Sequence, residues 1–253
     1  MKLRNIKLII EYDGTHFHGW QLQELSKRTV QGEIEKVLKI IFKKKIRLIG
    51  SGRTDSGVHA LGQVANFKIP SKMSTDEIVR ALNGNLPEDI TVIQAEDVSL
   101  NFHAQYSAKR KTYRYTICNR SVRPVLQRQF VLYLPQKLNL PLMRRESRNF
   151  VGVNDFRSFA ASDPRAVRDG KFKTTVRRIY KLDIKKKGDM IFIDIEANGF
   201  LYKMARNIVG TLMKIGLKRL SGGSIRQILK AKNRKMAAET APAQGLCLLQ
   251  VIY

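Results

Sequence analysis

Cysteine and histidine are scarce in this 253-residue chain, and their scarcity excludes two kinds of site. The two cysteines, Cys118 and Cys247, have no CxxC partner, so neither a disulfide framework nor a zinc site is predicted. Of the four histidines, His16 and His18 form an H-x-H, but no cysteine is nearby and a metal site is not indicated. We therefore expect a chain that folds without metal or disulfide in the reducing cytoplasm.

Long hydrophobic runs are also missing. Near the N-terminus the longest apolar run is Leu8 to Ile10, between Lys7 and Glu11, which is too short for a signal peptide. No stretch approaches the roughly 18 apolar residues of a membrane span. We expect neither secretion nor membrane insertion.

Negative charge is the third shortage. The chain has 21 acidic against 47 basic residues, which gives a formal net charge of +26 and a pI of about 10.3. The basic residues come in short groups between hydrophobic stretches, which is typical of a folded basic surface and not of a disordered arm. Each group alone is better explained as a solvated face, but their sum indicates a polyanionic partner such as a nucleic acid.

Alternation of apolar and polar residues predicts that a sheet is the backbone of the fold. The Lys187-Gly188-Asp189 segment separates two alternating runs like a hairpin turn, so the sheet is at least partly antiparallel. The predicted strands are 3–12, 47–49, 63–69, 89–95, 112–118, 178–185, 190–197 and 246–252.

Helical spacing marks four segments between and after these strands. Thr29 is the expected N-cap of a helix over 30–41, and Ser74 with Glu77 forms a capping box before the second. A short fourth helix is expected over 224–230. The third helix is predicted from an apolar stripe of Phe200, Met204, Ile208, Leu212 and Ile215. This stripe leaves Lys203, Arg206 and Gly210 on the opposite face of the helix.

The order of strands and helices recurs along the chain and predicts an α+β fold of two similar α/β halves with largely antiparallel sheets. We place the halves at residues 1–104 and 105–253. A basic cleft between them is the expected ligand site.

Residues 50–64, GSGRTDSGVHALGQV, hold the densest set of candidate functional residues. The spacing fits neither a Walker loop nor a dinucleotide fingerprint. Ser56, His59 and Asp55 could be read as a hydrolase triad, but no G-x-S-x-G elbow surrounds the serine. There remains Asp55 beside Arg53 on a loop between strands, which the residues alone explain equally well as a simple Asx turn.

The run GRTDSGVHA at 52–60 strongly resembles the signature of the bacterial tRNA pseudouridine synthase A (TruA) family. Ser56 stands where the family often has Ala, and Cys247 where an aromatic residue is frequent. The resemblance covers nearly the whole chain through further blocks in the same order: YDG at 12–14, GWQ at 19–21, TVQG at 29–32, NGNLP at 83–87, FHA at 102–104, YRY at 113–115, NDF at 154–156, Phe159, ANGFL at 197–201, Met204, RNIVG at 206–210 and APAQGL at 241–246.

The resemblance implies the pseudouridine synthase fold and an isomerase that converts uridine to pseudouridine in tRNA. It implies that Asp55 is the catalytic carboxylate, acting as a nucleophile on sugar or base or as a proton acceptor. Arg206 would hold Asp55 in a salt bridge, and Tyr113 would pack on the uracil and assist proton transfer. Arg53 would replace the extruded base in the stem, with a phosphate contact as the alternative.

The same resemblance implies a cytoplasmic homodimer acting on nucleotides 38, 39 and 40 of the anticodon stem-loop, with tRNA as the partner. An isomerisation needs no cofactor or metal, and the sequence shows a site for neither. The rival interpretation is an RNA-binding protein without catalysis. The retention of Arg53, Asp55, Tyr113 and Arg206 argues against it.

Overall fold

Alternating apolar residues become long, mostly antiparallel strands in the computed structural model of this chain, which describes residues 2–23, 27–162, 167–168, 171–172 and 174–253. The strands are β1 (Leu3–Tyr12), β2 (Ile49–Gly50), β3 (His59–Pro70), β4 (Ile90–Val98), β5 (Arg110–Cys118), β6 (Leu132–Tyr133), β7 (Gly152–Asp155), β8 (Val167–Arg168), β9 (Lys171–Phe172), β10 (Val176–Lys187), β11 (Met190–Ala197) and β12 (Leu246–Ile252). The α-helices are α1 (Val30–Phe42), α2 (Thr75–Asn83), α3 (Leu140–Ser147), α4 (Met204–Gly216) and α5 (Ser224–Ala231).

One unit comprises Met1–Lys109 and Cys247–Tyr253 and is called unit 1. Its strands are ordered β4-β1-β3-β12, with β2 beside β3, and all pair antiparallel except β12 with β3. Alternate residues of β1 are fully buried, and α1 buries one apolar stripe. The loop between β2 and β3, which carries Arg53 and Asp55, therefore starts and ends on the same sheet.

The second unit, Arg110–Leu246, is called unit 2. Its strands are ordered β5-β11-β10-β7, antiparallel throughout, and β6 pairs parallel with β5. The hairpin predicted at Gly188 is confirmed, because Lys187 pairs with Met190 and Gly188 adopts a φ of +56°. Every second residue of β11 from Ile191 to Ala197 is buried, so this strand lies with one face in the core.

The predicted helix starts are confirmed in detail for α1 and α2. The Thr29 hydroxyl accepts a hydrogen bond from the Gly32 N–H, and both bonds of the Ser74–Glu77 capping box are present. Each of these bonds satisfies a donor that the first turn of a helix leaves without a partner inside the helix.

The prediction for the third helix was wrong about where the helix begins. Helix α4 begins at Met204 and not at Phe200, because Lys203 takes the left-handed conformation with a φ of +58° and ends the preceding turn. Gly210, on the face opposite the stripe, has no room for a side chain. It is buried where a Cβ would collide with the carbonyl oxygen of Glu239, so a segment of chain covers part of the face opposite the stripe.

The α+β class with largely antiparallel strands is confirmed. The two sequential halves, 1–104 and 105–253, remain a prediction about domains, as does a basic cleft between them. The two units are not sequential segments, because residues 247–253 return to pair with β3 in unit 1.

Candidate active site

The loop that carries Asp55 is fixed against the segment that follows β1. The Trp20 N–H donates to the Thr54 carbonyl at 3.1 Å, and the Ser56 hydroxyl donates to the Phe17 carbonyl at 3.0 Å. The hydroxyls of Tyr12 and Thr54, both buried, lie 2.8 Å apart in a further hydrogen bond. These bonds on either side of Asp55 hold its backbone in one place.

Gly19 allows this close approach. Its φ is +87°, a conformation that L side chains rarely adopt, and a Cβ there would lie only 2.6 Å from the Thr54 carbonyl oxygen. The GWQ block therefore has a structural reason to begin with glycine, since this glycine brings the chain against the Asp55 loop.

Asp55 is half-buried in the turn, whereas its neighbours Arg53 and Ser56 are exposed. The turn is closed by the Val58 N–H, which donates to the Asp55 carbonyl at 3.2 Å. The Arg53 Nε donates to Gln21 Oε1 at 3.0 Å, so the guanidinium is anchored while the side chain stays at the surface. The loop thus presents a partly shielded carboxylate and, two residues away, an accessible cation.

The partners of Ser56 and His59 do not support the hydrolase alternative. The Ser56 hydroxyl hydrogen is used in the bond to the Phe17 carbonyl. His59 is buried, and its Nδ1 accepts from the Gly14 N–H at 3.0 Å and lies 3.1 Å from Asp13 Oδ1. His59 therefore helps to hold the chain after β1 and is not placed as a base for Ser56.

Asp13 belongs to the same support. Partial burial acts to raise its pKa, but hydrogen bonds from Thr15 and the neighbouring His59 outweigh this and lower the pKa below its ordinary value. The carboxylate therefore stays ionised and accepts these bonds at neutral pH.

Tyr113 lies on β5 with its side chain on the buried face, together with Tyr115 and Ile117. The Tyr113 ring is 8% exposed and meets the Phe200 ring edge-on, at 4.9 Å between centroids and 82° between planes. Such a contact fixes the orientation of a tyrosine ring.

Arg206 lies in the first turn of α4 and is half-buried. Its Nε donates to the Ala241 carbonyl at 2.7 Å, and the Ala241 N–H donates to the Arg206 carbonyl at 3.2 Å. Since Nε is engaged there, an ion pair with a carboxylate would use the two terminal nitrogens. The segment around Ala241 thus sets the direction of the guanidinium.

Tyr113 and Arg206 belong to one neighbourhood of unit 2. The Tyr115 hydroxyl donates to the Pro242 carbonyl at 2.8 Å, next to the residue that anchors Arg206. Burial raises the pKa of Tyr115, and the nearby positive charge of Arg206 acts in the opposite direction. Asp55 and Arg53 belong to unit 1, so the salt bridge between Asp55 and Arg206 stays a prediction.

Asn207 was missed by the sequence analysis, although it supports Arg206. It is fully buried on α4, its Nδ2 donates to the Phe159 carbonyl at 2.7 Å, and its Oδ1 accepts from the Thr240 hydroxyl at 2.7 Å. Arg234 donates to the same oxygen at 3.1 Å. A polar residue beside the apolar stripe was the available signal, because a buried amide needs partners and fixes the segment that supplies them.

The unusual pKa of Lys111 was also not predicted from the sequence. It lies two residues before Tyr113, and burial lowers the pKa of its ammonium group to about 8. Keeping this buried ammonium group charged lowers the free energy of unfolding.

Two kinds of feature are absent from the described ranges. Within residues 2–23, 27–162 and 174–253, no three His, Cys, Asp or Glu side chains are grouped so that they could bind a metal ion. In the part of the chain that the structure describes, no helix has the length and apolar character to cross a membrane.

Comparison with known proteins gives matches over almost the whole chain. A family model described as tRNA pseudouridine synthase matches residues 8–107 and 147–253. The tRNA pseudouridine synthase A of Thermoanaerobacter sp. (strain X514) is 46% identical over 252 residues, 99% of this chain and 100% of the relative. Those of Caldicellulosiruptor bescii and Geobacillus kaustophilus are 46% and 42% identical over 251 residues, covering 99% of this chain and 100% and 95% of the relatives.

Proposed function

This chain belongs to the tRNA pseudouridine synthase A family, whose members are isomerases, and on that premise we propose that it isomerises uridine to pseudouridine in tRNA with Asp55 as its catalytic carboxylate. The observation that carries the proposal is the loop of Asp55, which is fixed from both sides by Trp20, Phe17 and Tyr12. A catalytic group must be held in its productive geometry, and these bonds supply that support.

The reaction breaks the N1–C1′ bond, turns the uracil and forms a C5–C1′ bond, after which the C5 proton leaves and N1 carries a proton. No atom is gained or lost overall, so no cofactor or outside reactant enters. A half-buried carboxylate suits this chemistry, because it can attack sugar or base or accept a proton. We leave these roles of Asp55 as alternatives.

Arg206 and Tyr113 complete the proposed site. The guanidinium, directed by Ala241, would pair with Asp55 through its terminal nitrogens and stabilise the ionised carboxylate. The Tyr113 ring, held by Phe200, would lie on the uracil, and its hydroxyl would assist removal of the C5 proton.

Arg53 would bring the target base out of the RNA stem. The reacting atoms are inaccessible in a stacked and paired uridine, so the base must leave the stack. Arg53 is exposed and its Nε is anchored by Gln21, which suits a side chain that takes the place of the extruded base. A phosphate contact is the simpler alternative, and substrates in which the target uridine is paired or mismatched distinguish the two roles.

We place the target at nucleotides 38, 39 and 40 of the anticodon stem-loop, as the resemblance implies, and the activity in the cytoplasm, where tRNA is used. The net charge of +26 supports a large RNA substrate, because phosphate contacts dominate affinity for a structured RNA that is recognised by shape.

We also propose that the protein works as a homodimer. The loop after β5 exposes four apolar side chains to unusual extents, with Leu126 at 93%, Val122 at 68%, Val125 at 62% and Phe130 at 45%. Apolar patches of this kind are typical of protein interfaces, and a second copy is the simplest partner that would cover them.

Release of tritium from C5-labelled uridine in a tRNA transcript tests the proposed activity. We expect the wild-type protein to release tritium and Asp55→Asn to release at least 1000-fold less while tRNA binding is kept, since the amide has nearly the same shape without the charge or basicity. The matched control Asp76→Asn changes an exposed carboxylate on α2 and should be fully active.

Two results would contradict this proposal in different ways. Substantial release by Asp55→Asn would remove Asp55 from the chemistry. A wild-type protein that binds tRNA but releases no tritium would favour the RNA-binding alternative.

A further inference from the structure

A cleft of about 790 Å³ in unit 1 has Arg53 in its lining, and the other cations of the lining have no role in the proposed chemistry. Its lining includes three exposed cationic side chains, Lys45, Arg47 and Arg53. The carboxylate in the lining, Glu35, accepts from the Leu48 N–H at 2.9 Å and the Gln31 Nε2 at 2.8 Å, so its charge is engaged within the protein. The cleft therefore favours an anionic ligand.

Two stacked rings form another part of the lining. His103 and Tyr106 lie 4.2 Å apart between ring centroids with 27° between their planes. Tyr106 is 66% exposed, which is high for an aromatic side chain. Exposed rings next to cations are the usual combination where proteins bind unpaired nucleic acid bases.

The turn that carries these rings is held by hydrogen bonds within itself and to the sheet. The His103 Nδ1 accepts from the N–H groups of Gln105 and Tyr106, at 3.2 and 3.3 Å. The Ala104 N–H donates to Asn66 Oδ1 at 2.8 Å, and Asn5 Nδ2 donates to the Phe102 carbonyl at 3.0 Å.

Both asparagines are buried in the sheet and are bonded to each other at 2.9 Å, so the turn is attached to β1 and β3. A platform that is already ordered loses little conformational entropy when a ligand binds, which favours its use as a recognition site.

We propose that the Tyr106–His103 pair is a stacking platform for an unpaired base of the RNA substrate, in the strand whose phosphates contact Lys45 and Arg47. The proposal rests on the proposed function, because Arg53 connects this cleft to the Asp55 loop. The ligand is a nucleotide of the tRNA other than the target uridine. Stacking tolerates any base, so the platform contributes affinity and position but little sequence preference.

The test uses an RNA stem-loop with 2-aminopurine at one unpaired position at a time, bound to the Asp55→Asn protein so that no chemistry occurs. Stacking of 2-aminopurine on a ring quenches its fluorescence. We expect quenching at a loop position to be lost in Tyr106→Ala, with roughly 5- to 150-fold weaker binding. Tyr106→Phe should keep both signals, because it retains the ring. The control Tyr180→Ala removes a tyrosine outside the cleft and should change neither signal.

Unchanged affinity and quenching in Tyr106→Ala would overturn the proposal, and so would loss of both in Tyr106→Phe, which would indicate a role for the hydroxyl. Tritium release by the wild-type protein is measured in parallel. If quenching depends on Tyr106 while the wild-type protein shows no release, the platform stands and the proposed activity fails. If tritium release is normal and quenching is independent of Tyr106, the proposed activity stands and the stacking platform fails.

Discussion

The residues of the Asp55 loop differ in how far their side chains are shielded from water. Asp55 is half-buried and Arg53 is exposed, although only one residue separates them. A carboxylate that does chemistry needs partial protection from water, since its interactions with a partner strengthen as water is excluded. A side chain that enters an RNA stem must instead reach outward. The loop therefore offers both environments that the proposed roles of Asp55 and Arg53 require.

Transcripts in which the target uridine is either paired or mismatched distinguish the proposed role of Arg53 from that of Arg206. Extrusion costs a few kcal/mol from a paired stem and less from a mismatch. We expect Arg53→Ala to lose 10-fold or more in kcat/KM on the paired transcript and clearly less on the mismatched one, while Arg206→Ala loses the same large factor on both. Equal losses on both transcripts for Arg53→Ala would leave Arg53 an ordinary phosphate contact.

Lys111 should reduce the stability of the fold at neutral pH. Its pKa is about 8 in the folded protein and 10.5 in an unfolded chain. Below pH 8 the ammonium is charged in both states and the full cost of burial is present. The cost falls between pH 8 and 10.5 and is absent above, when the amine is neutral in both states. The shift corresponds to about 3 kcal/mol at most.

We therefore expect Lys111→Met to raise Tm at pH 7 by several degrees and to lose most of this advantage at pH 10.5, measured by thermal unfolding against wild type at each pH. The control Lys181→Met changes an exposed lysine that pairs with Asp183 at 3.0 Å and should not raise Tm. An advantage for Lys111→Met that is the same at both pH values would show that packing, and not charge burial, is responsible.

At the scale of elements, the position of Asp55 depends on a segment 35 residues earlier in the sequence. The chain after β1 passes so close to the loop that Gly19 has no room for a Cβ. The same principle applies in unit 2, where the segment around Ala241 directs Arg206 and is itself fixed by Asn207 on α4. In both units the candidate side chain is positioned by a segment distant in sequence and not only by the element that carries it.

Gly19→Ala tests this close approach. It should cost about 1 to 3 kcal/mol through the strained φ and the collision with Thr54, and it should lower kcat/KM at least 10-fold because the loop shifts. The matched control Gly188→Ala has a φ of +56° but no atom within 4 Å of its Cβ, so it should cost about 1 kcal/mol and leave activity unchanged. Thermal unfolding and tritium release measure both effects. Equal changes in the two variants would show that the contact with the Asp55 loop does not matter.

At the scale of the whole molecule, self-association should depend on the exposed apolar loop. We expect Leu126→Asp to convert a dimer to a monomer in size-exclusion chromatography with light scattering, because a buried, unpaired carboxylate would be costly at the interface. Ile93→Asp changes another exposed apolar residue, on β4 of unit 1, and should leave the dimer intact. A monomeric wild-type protein, or a dimeric Leu126→Asp variant, would contradict this prediction.

Much of the fold was determined by local sequence pattern. The bounds of β1, β11 and β12 follow from alternation, and the caps at Thr29 and Ser74 follow from side chains that bond to nearby backbone. The composition determined the positive net charge of the protein, and the order of the motifs predicted the family. These features depend on residues close together in the sequence, or on the order of short motifs along the chain.

Tertiary structure alone decided the features that depend on distant segments. The cover over Gly210 and the return of β12 to unit 1 each result from contacts across the chain that no periodicity records. Asn5 and Asn66 lie on strands whose sequence pattern does not indicate that the two side chains pair. This buried pair nevertheless holds the turn of His103 and Tyr106. A side chain's partner is set by which segments meet in space, and local sequence carries little information about that meeting.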